Sequence, residues 1–458
     1  MTITGLKRVL GLPEATFICI GYTIGAGVFV FTGIVAKITG PALPLAYGLA
    51  VIPVFISMLP IAMLGSVIPT VGGNYRYPSR MVSPGLAFVG IWVFALAAFF
   101  GQIPLYAISC ANYARAFLPL PVEISAILLL TAFFLINLLG ISLAAQIQGV
   151  MVLILILALL LYSGKGLFVL DMTHFQGFMQ QGTGNLILGV ALLTFTYLGA
   201  NGIIELGGEI RHPGKVIPAA LFISFPIITL IYLLVALATV GAVPPATIDQ
   251  KQPLLEVSRH ILGAKGTLFF TFGGAILALT TSLNALFIVG TKSILTIIDD
   301  RLLPSFLGKL HPRFGTPYII LTFVWIFSVM GVLTGFSLGT LASYSALGGM
   351  MILFPVMIAS IFLPRKYPKQ YKKSEFRLKG FWLWFCPSVG CLMVLFFSVV
   401  ILSDLKSLLK ILFFLAFILS GICVYQLRKR NLMKNGVDIK ELTRDLYWLE
   451  LEQEDEES

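Results

Sequence analysis

Long runs of apolar residues recur along nearly the whole chain and are separated by short polar joints. Many of these runs approach 20 residues, the length that an α-helix needs to cross the roughly 30 Å hydrocarbon layer of a membrane. By this length rule we count about twelve spans, with the first over residues 14–38 and the sixth over residues 184–206. The pattern predicts an all-α membrane protein.

Composition supports the same class. Of the 458 residues, 58% are hydrophobic and only 11% are charged, whereas charged residues make up about a quarter of an ordinary soluble domain. A soluble globular protein is therefore excluded, and we expect the lipid bilayer to surround most of the chain.

The net charge of +11 is unevenly distributed between the two sets of alternate loops. One set is clearly richer in basic residues, and cytoplasmic loops of membrane proteins carry such an excess. We therefore expect both termini in the cytoplasm and a multi-pass protein of the cytoplasmic membrane. No basic patch interleaved with aromatic residues remains, so nucleic acid is not an expected partner. The richer set contains Lys7, Arg8, Arg76, Arg80, Arg211, Lys215, Arg301, Lys309, Arg313 and the cluster from Arg365 to Lys379.

Three glycines, Gly21, Gly25 and Gly27, fall within seven residues in the middle of the first span. Each glycine costs about 1 kcal/mol in a helix relative to alanine, so this is where we expect the helix to open. Unbonded backbone groups survive in hydrocarbon only where they line a cavity or meet a ligand. The alternative is a small-residue face that lets another helix approach closely.

The sixth span is interrupted in the same way between Phe195 and Gly202. Breaks at corresponding places in two five-span halves are typical of inverted-repeat transporters with a shared site at the membrane midplane. We therefore divide the chain into a first repeat (1–170), a second repeat (171–364), two further spans (365–427) and an acidic cytoplasmic tail (428–458).

The two breaks predict a site for a zwitterion. The amides of Ala26 and Gly27 would form the positive end of the outer half-helix, which suits a carboxylate. The carbonyls of Phe195 and Thr196 would suit an α-ammonium group. Since no acidic residue lies at the centre of either break, neutral substrates are favoured over arginine or polyamines.

Glu205 follows the second break by less than two turns. It could face the pocket and meet a cationic substrate group, or it could act in a cytoplasmic gate or pair with a loop arginine. We take Glu205 and Tyr106 as candidate gating residues. The width of the pocket depends on which of Tyr106, Phe195, Tyr197 and Tyr344 face inward.

Coupling requires an ion or an exchanged solute. Carbonyls freed at Gly21 and Ile24, with the hydroxyls of Thr280 and Thr281 in the eighth span (residues 266–298), offer the oxygen ligands that sodium prefers. Adjacent threonines in a membrane helix also commonly bond their own backbone. Proton coupling ordinarily requires an ionisable side chain inside a span, and the fifth span has none. Apart from sodium, the sequence predicts no cofactor.

Several ordered motifs resemble those of the amino acid, polyamine and organocation (APC) superfamily of secondary transporters. Together they extend over about two thirds of the chain, and their order and spacing are more specific than any one of them. The matching segments are Ile24-Gly25-Ala26-Gly27-Val28-Phe29, Gly65 to Tyr75, Phe195-Thr196-Tyr197-Leu198-Gly199, Glu209 to Pro213, Asp300-Arg301-Leu302-Leu303-Pro304, and His311 to Pro317.

This resemblance implies a LeuT-type fold of five plus five inverted spans with two more at the end, twelve in all, with helices 1 and 6 broken and with alternating access. It assigns Ile24, Gly25, Ala26 and Gly27 to the substrate carboxylate. It assigns Phe195, Tyr197 and Gly199 to the ammonium group and side chain. It also adds the Leu277 carbonyl to the candidate sodium ligands Gly21, Ile24, Thr280 and Thr281.

Proton-coupled relatives place a lysine in span five, and this chain has none between Ala144 and Tyr162. The sequence therefore predicts a secondary active transporter for a small neutral amino acid, with sodium as a candidate driver. The alternative is a proton-coupled or obligate-exchange antiporter for amino acids or polyamines. A passive pore or a receptor is a second class. A membrane enzyme is disfavoured, because all four histidines fall in loops and no hydrolase motif is present.

Overall fold

The computed structural model describes Arg8, residues 10–115, 117–139, 144–248 and 252–439, and Thr443. This part of the chain contains helices and two isolated β-bridges, and no β-strand. Most of the acidic end of the predicted tail lies outside the described residues.

The α-helices are α1 (Leu12–Thr39), α2 (Leu43–Val67), α3 (Gly73–Met81), α4 (Pro84–Leu96), α5 (Ile103–Ala114), α6 (Val122–Leu139), α7 (Ala144–Phe168), α8 (Gly182–Tyr197), α9 (Pro213–Ala242), α10 (Pro253–Phe269), α11 (Leu277–Asp299), α12 (Tyr318–Leu333), α13 (Leu338–Lys366), α14 (Pro368–Lys373), α15 (Phe381–Asp404) and α16 (Leu408–Lys434).

Ten helical stretches of the described chain are long and apolar enough to cross a membrane. The first of them, Leu12–Val67, contains both α1 and α2, and α12 is a further, shorter apolar helix. The expectation of an all-helical, multi-pass membrane protein is thereby confirmed. The count of twelve spans and their division into two repeats stay predictions.

The helices differ widely in how deeply they are buried. In the most apolar window of Gly182–Glu205, 83% of residues are buried inside the protein, whereas the figure for α16 is 11%. Helix α8 is therefore central and α16 peripheral. Large apolar side chains such as Leu139, Val399 and Leu409 are exposed on the outside, as expected for a surface that faces lipid.

Helices α1 and α8 cross the centre side by side in opposite directions. Near the end of α1, a Cβ built on Gly189 would lie 2.4 Å from Thr39 Cγ2. Beyond the end of α8, a Cβ built on Gly199 would lie 2.4 Å from the carbonyl oxygen of Tyr22. Because the later residue of one helix meets the earlier residue of the other, the two segments are antiparallel and nearly in contact.

The structure differs from the predicted eighth span in where the helix begins and in its regularity. Helix begins at Pro253 rather than near residue 266, and α10 is bent at Gly263, whose φ of 65° favours glycine. The segment Phe270–Ile276 then forms a π-helical turn before α11 begins at Leu277. Pro253, which precedes the predicted eighth span, thus stands in the first turn of α10, a position that proline tolerates.

Candidate functional site

The first helix opens at Gly25. Within α1 the backbone leaves helical geometry there, with φ −30° and ψ −126°. A Cβ on this residue would lie 1.8 Å from Ser282 Oγ, so only glycine fits between the open turn and α11. The break that the glycine spacing predicts is therefore present in the structure.

The sixth predicted span also changes geometry where the sequence indicates. Helix α8 ends at Tyr197, and the chain continues as 3₁₀ segments over Leu198–Glu205 and Gly207–Glu209. Glycines at the two breaks also form the small-residue face of the alternative interpretation, which lets another helix approach closely. Gly199 lies against the Tyr22 backbone, and a Cβ on Gly27 would lie 3.2 Å from Thr196 Cβ. The two irregular segments pack directly on each other.

Side chains from neighbouring helices partner the backbone groups that these breaks release. The Ala26 N–H donates a 2.8 Å hydrogen bond to Ser282 Oγ. The Tyr232 hydroxyl lies 2.6 Å from the carbonyl oxygen of Thr23 and 3.3 Å from that of Thr196, so it bridges both breaks. Ser282 and Tyr232 are not among the residues predicted for the site. Ser282 stands in the visible hydroxyl run of span eight, whereas nothing local distinguishes Tyr232 in α9.

A cavity of about 140 Å³ lies beside the two breaks. Since a cavity needs only about 10–15 Å³ to hold one water molecule, this cavity has room for a small solute. Its walls combine backbone, aromatic rings and a few polar side chains, as ligand pockets generally do. The lining residues are Gly21, Tyr22, Thr23, Gly27, Asn74, Phe94, Gln102, Tyr106, Phe195, Thr196, Leu198, Gly199, Asn201, Gly202, Glu205, Thr281, Ser282, Ala285, Leu286, Gly349, Ile352 and Leu353.

Three of the seven predicted substrate residues, Gly27, Phe195 and Gly199, line this cavity. The other four, Ile24, Gly25, Ala26 and Tyr197, are outside its lining. Gly25 and Ala26 contact the lining residue Ser282, and Ile24 is fully buried.

The ring of Tyr197 points into an aromatic cluster instead. Its centroid lies 5.0 Å from that of Tyr232 and 6.4 Å from that of Tyr47. Its hydroxyl donates a 3.3 Å hydrogen bond to the Tyr47 carbonyl. Tyr344 also lies away from the cavity, packed on Phe414.

The candidate sodium residues are likewise divided. Gly21 and Thr281 line the cavity, whereas Ile24, Leu277 and Thr280 are not part of its lining. The Thr280 hydroxyl donates to the Ile276 carbonyl at 2.7 Å, and that of Thr281 donates to the Leu277 carbonyl at 2.8 Å. Both hydroxyls therefore bond their own helix, and each oxygen keeps lone pairs that a cation could use.

Both candidate gating residues face the cavity. Tyr106 accepts a 2.8 Å hydrogen bond from Gln102 Nε2. Glu205 is 3% exposed, and its Oε1 accepts a 3.0 Å hydrogen bond from the Asn74 N–H in the first turn of α3. The carboxylate thus caps the positive end of that helix and ties the segment after α2 to the segment after α8.

A second polar cluster lies outside the cavity, between α3 and the end of α11. Arg80 and Asp300 form a bidentate ion pair with an Nη2–Oδ1 distance of 2.8 Å, and both side chains are almost fully buried. The Tyr75 hydroxyl donates a 2.7 Å hydrogen bond to Asp300 Oδ2. Burial raises the pKa of the Tyr75 phenol, and the charge of Asp300 raises it further, so Tyr75 remains a neutral donor.

Comparison with known proteins identifies the family of this chain. A family model described as amino acid permease matches residues 10–431. The chain is 26% identical to the branched-chain amino acid permease BcaP of Bacillus subtilis over 449 residues, which covers 93% of this chain and 94% of the relative.

Two further relatives are also transporters. The methylthioribose transporter of Bacillus subtilis is 29% identical over 419 residues, covering 84% of this chain and 89% of the relative. Cationic amino acid transporter 9, chloroplastic, of Arabidopsis thaliana is 27% identical over 383 residues, covering 76% and 66%. Since the family match covers almost the entire chain, this protein belongs to the amino acid permease family.

Proposed function

We propose that this protein is a secondary active transporter for a small neutral amino acid that works by alternating access. The observation that carries the proposal is the cavity bordered by the irregular backbone of two antiparallel central helices. Irregular backbone at membrane depth is tolerated where it is buried in protein or lines such a cavity, and paired breaks are typical of the midplane sites of transporters. Membership of the permease family supports transport over a passive pore, a receptor or an enzyme.

In this proposal the amides that follow Gly25 receive the substrate carboxylate. Gly27 already borders the cavity, and Ala26 becomes available when Ser282 releases its N–H. Phe195 and Gly199, which line the cavity, are proposed to receive the ammonium group and side chain. Tyr197 is proposed to contribute through its backbone, because its ring packs in the aromatic cluster with Tyr47 and Tyr232.

We further propose the twelve-span LeuT-type arrangement with cytoplasmic termini. Two helices within the first apolar stretch, together with the shorter apolar helix α12, support the higher span count.

Access to the cavity differs between its two sides. On the C-terminal side of the first break the helices are tightly packed, since a Cβ on Gly33 would lie 2.4 Å from Pro253 Cβ and the Tyr113 hydroxyl donates to the Phe29 carbonyl at 3.2 Å. The cavity borders Gly21–Thr23 on the other side, so with a cytoplasmic N-terminus this state is closed to the outside.

Sodium is the proposed driver. Support comes from Gly21 and Thr281, which both line the cavity, and from the Thr281 hydroxyl, whose oxygen keeps a lone pair for a cation. Exchange or proton coupling is the alternative. The acidic side chain of Glu205 in the cavity lining is the observation that favours a cationic substrate or a polyamine in that alternative.

A thermal-shift screen of the purified protein tests substrate and ion together. Neutral amino acids should raise the melting temperature, and sodium should enlarge that rise relative to potassium, because a ligand that binds only the folded state stabilises it. Stabilisation by lysine or a polyamine, with none by neutral amino acids, would favour the alternative. No effect of any amino acid would contradict the proposal.

A further inference from the structure

Six exposed basic side chains cluster around the connector between α13 and α15, residues 367–380. Among the described residues, none of the six belongs to an ion pair. The one acidic residue in this stretch of sequence, Glu375, lies 3.2 Å from Lys215 of α9. The connector therefore carries a dense positive charge that its described neighbours do not balance. The six residues of this basic surface are Arg365, Lys366, Lys369, Lys372, Lys373 and Lys379.

Several other basic residues of the same loop set have partners within the fold. Arg80 forms its buried ion pair with Asp300, and the Arg211 Nε donates a 3.2 Å hydrogen bond to the Arg8 carbonyl. These contacts account for the positions of those side chains. At the basic surface, by contrast, the charge remains for a partner outside the described protein.

The basic surface lies at one face of the membrane. Helices α13 and α15 are both long and apolar enough to cross it, so the connector joins the end of one span to the start of the next. The first turn of α15 exposes the aromatic side chains of Phe381, Trp382 and Trp384. Tryptophan is enriched where hydrocarbon meets the lipid headgroups. Lys379, two residues before Phe381, therefore stands at the depth of the headgroups.

Contacts with α2 and α9 hold the connector in place. Ser374 Oγ lies 2.9 Å from Ser66 Oγ at the end of α2, and the Phe376 N–H donates to the same Ser66 oxygen at 3.3 Å. The Phe376 ring packs on Phe222 of α9, with ring centroids 5.4 Å apart. A backbone that is ordered before binding loses little conformational entropy when a ligand arrives. The connector thus presents its cations from a preorganised backbone.

We propose that the basic surface binds the headgroups of anionic phospholipids in the adjoining leaflet. Clusters of about four to eight lysines and arginines beside a membrane span attract such lipids. A lipid engages both the cations and the exposed rings of Phe381, Trp382 and Trp384, whereas a soluble anion engages only the cations. This interaction does not depend on which solute the protein transports.

A lipid titration of the purified full chain in a neutral detergent tests the proposal. Phosphatidylglycerol and phosphatidylcholine with identical acyl chains differ in headgroup charge, so comparing them isolates the electrostatic contribution. We expect phosphatidylglycerol to raise the melting temperature at lower concentrations than phosphatidylcholine, because a ligand of the folded state stabilises it. Neutralising Lys369, Lys372 and Lys373 together, each by substitution with glutamine, should raise the phosphatidylglycerol concentration for the half-maximal effect by about tenfold or more.

A second triple variant with the same change in net charge is the matched control. Lys309→Gln, Arg430→Gln and Lys434→Gln remove three exposed cations from the loop before α12 and from the end of α16. This variant should leave the phosphatidylglycerol titration unchanged. Both variants alter only exposed side chains, which seldom affects folding.

Four results would overturn the proposal. Equal stabilisation by the two lipids would remove the role of headgroup charge, and an equal loss in the control variant would mean that only net charge matters. Stabilisation by inorganic phosphate equal to that by phosphatidylglycerol would assign the surface to a soluble anion. No response of the unmodified protein to phosphatidylglycerol, with a lower melting temperature of the Lys369, Lys372 and Lys373 variant in the absence of lipid, would indicate that the acidic end of the chain neutralises the surface.

The titration measures lipid binding without uptake. Its failure therefore leaves the proposed transport function intact, and absence of uptake leaves the lipid surface intact.

Discussion

The main-chain N–H of Ala26 donates a 2.8 Å hydrogen bond to the side-chain oxygen of Ser282, which lies 256 residues further along the chain. This contact joins the open turn of α1 to the middle of α11. Ser282 borders the cavity, whereas Ala26 does not. The serine therefore occupies the amide that the sequence assigns to a substrate carboxylate, and binding of a carboxylate there requires the hydroxyl to move away.

Removing the hydroxyl should strengthen substrate binding. In Ser282→Ala the Ala26 N–H no longer has its internal partner, so the carboxylate does not compete with one. The expected gain is about two- to tenfold in affinity, the equivalent of one net hydrogen bond. Calorimetric titration of the substrate checks it, and weaker binding would mean that Ser282 contacts the substrate directly.

The close contact between the two breaks should not tolerate a methyl group. In Gly199→Ala the new Cβ would lie 2.4 Å from the Tyr22 carbonyl oxygen, and such overpacking costs about 1–3 kcal/mol. We expect a lower melting temperature and loss of uptake. Gly164→Ala is the control, because nothing lies within 4 Å of its Cβ position; equal behaviour of the two variants would contradict the contact.

Replacing Thr281 should weaken sodium-dependent uptake more than replacing another threonine that bonds its own helix. Thr281→Val removes an oxygen at the cavity, and we expect the sodium concentration for half-maximal uptake to rise by about tenfold or more, the range seen when groups that support a metal ligand are lost. Thr271 makes the same kind of bond, to the Thr267 carbonyl at 2.7 Å, outside the cavity lining. Thr271→Val should leave sodium dependence unchanged, and full activity of the unmodified protein in potassium would refute the sodium site.

Removing one partner of the buried ion pair between Arg80 and Asp300 should strongly destabilise the protein. Asp300→Ala leaves the Arg80 charge buried without its carboxylate, which costs about 3–5 kcal/mol. The exposed pair Lys215–Glu375, with a 3.2 Å separation, is the matched control. Glu375→Ala should cost less than about 1 kcal/mol. Comparison of the two melting temperatures decides the matter, and similar shifts would contradict the role given to burial.

Apolar pattern and glycine spacing were sufficient to predict the helical membrane class and both irregular segments. The physical reason is local, because the length of a span and the cost of glycine in a helix depend on nearby residues. The opening at Gly25 and the end of α8 at Tyr197 both fall within the runs that the sequence identified.

The partners of the released backbone groups could not be predicted in the same way. Ser282 and Tyr232 reach the breaks from helices far away in the chain, so their contacts depend on tertiary packing. The direction of the Tyr197 ring has the same cause, because Tyr47 and Tyr232 supply its surroundings. The sequence identified several tyrosines near the site, but tertiary packing decides which of them face the cavity.

Concentrative uptake of a labelled neutral amino acid into proteoliposomes tests the proposed transport most directly. We expect accumulation above the external concentration, driven by an inward sodium gradient and abolished in Gly27→Leu, whose side chain would fill the cavity beside Thr196. Equilibration without accumulation under every ion gradient and without exchange for internal solute, or undiminished uptake by Gly27→Leu, would contradict it.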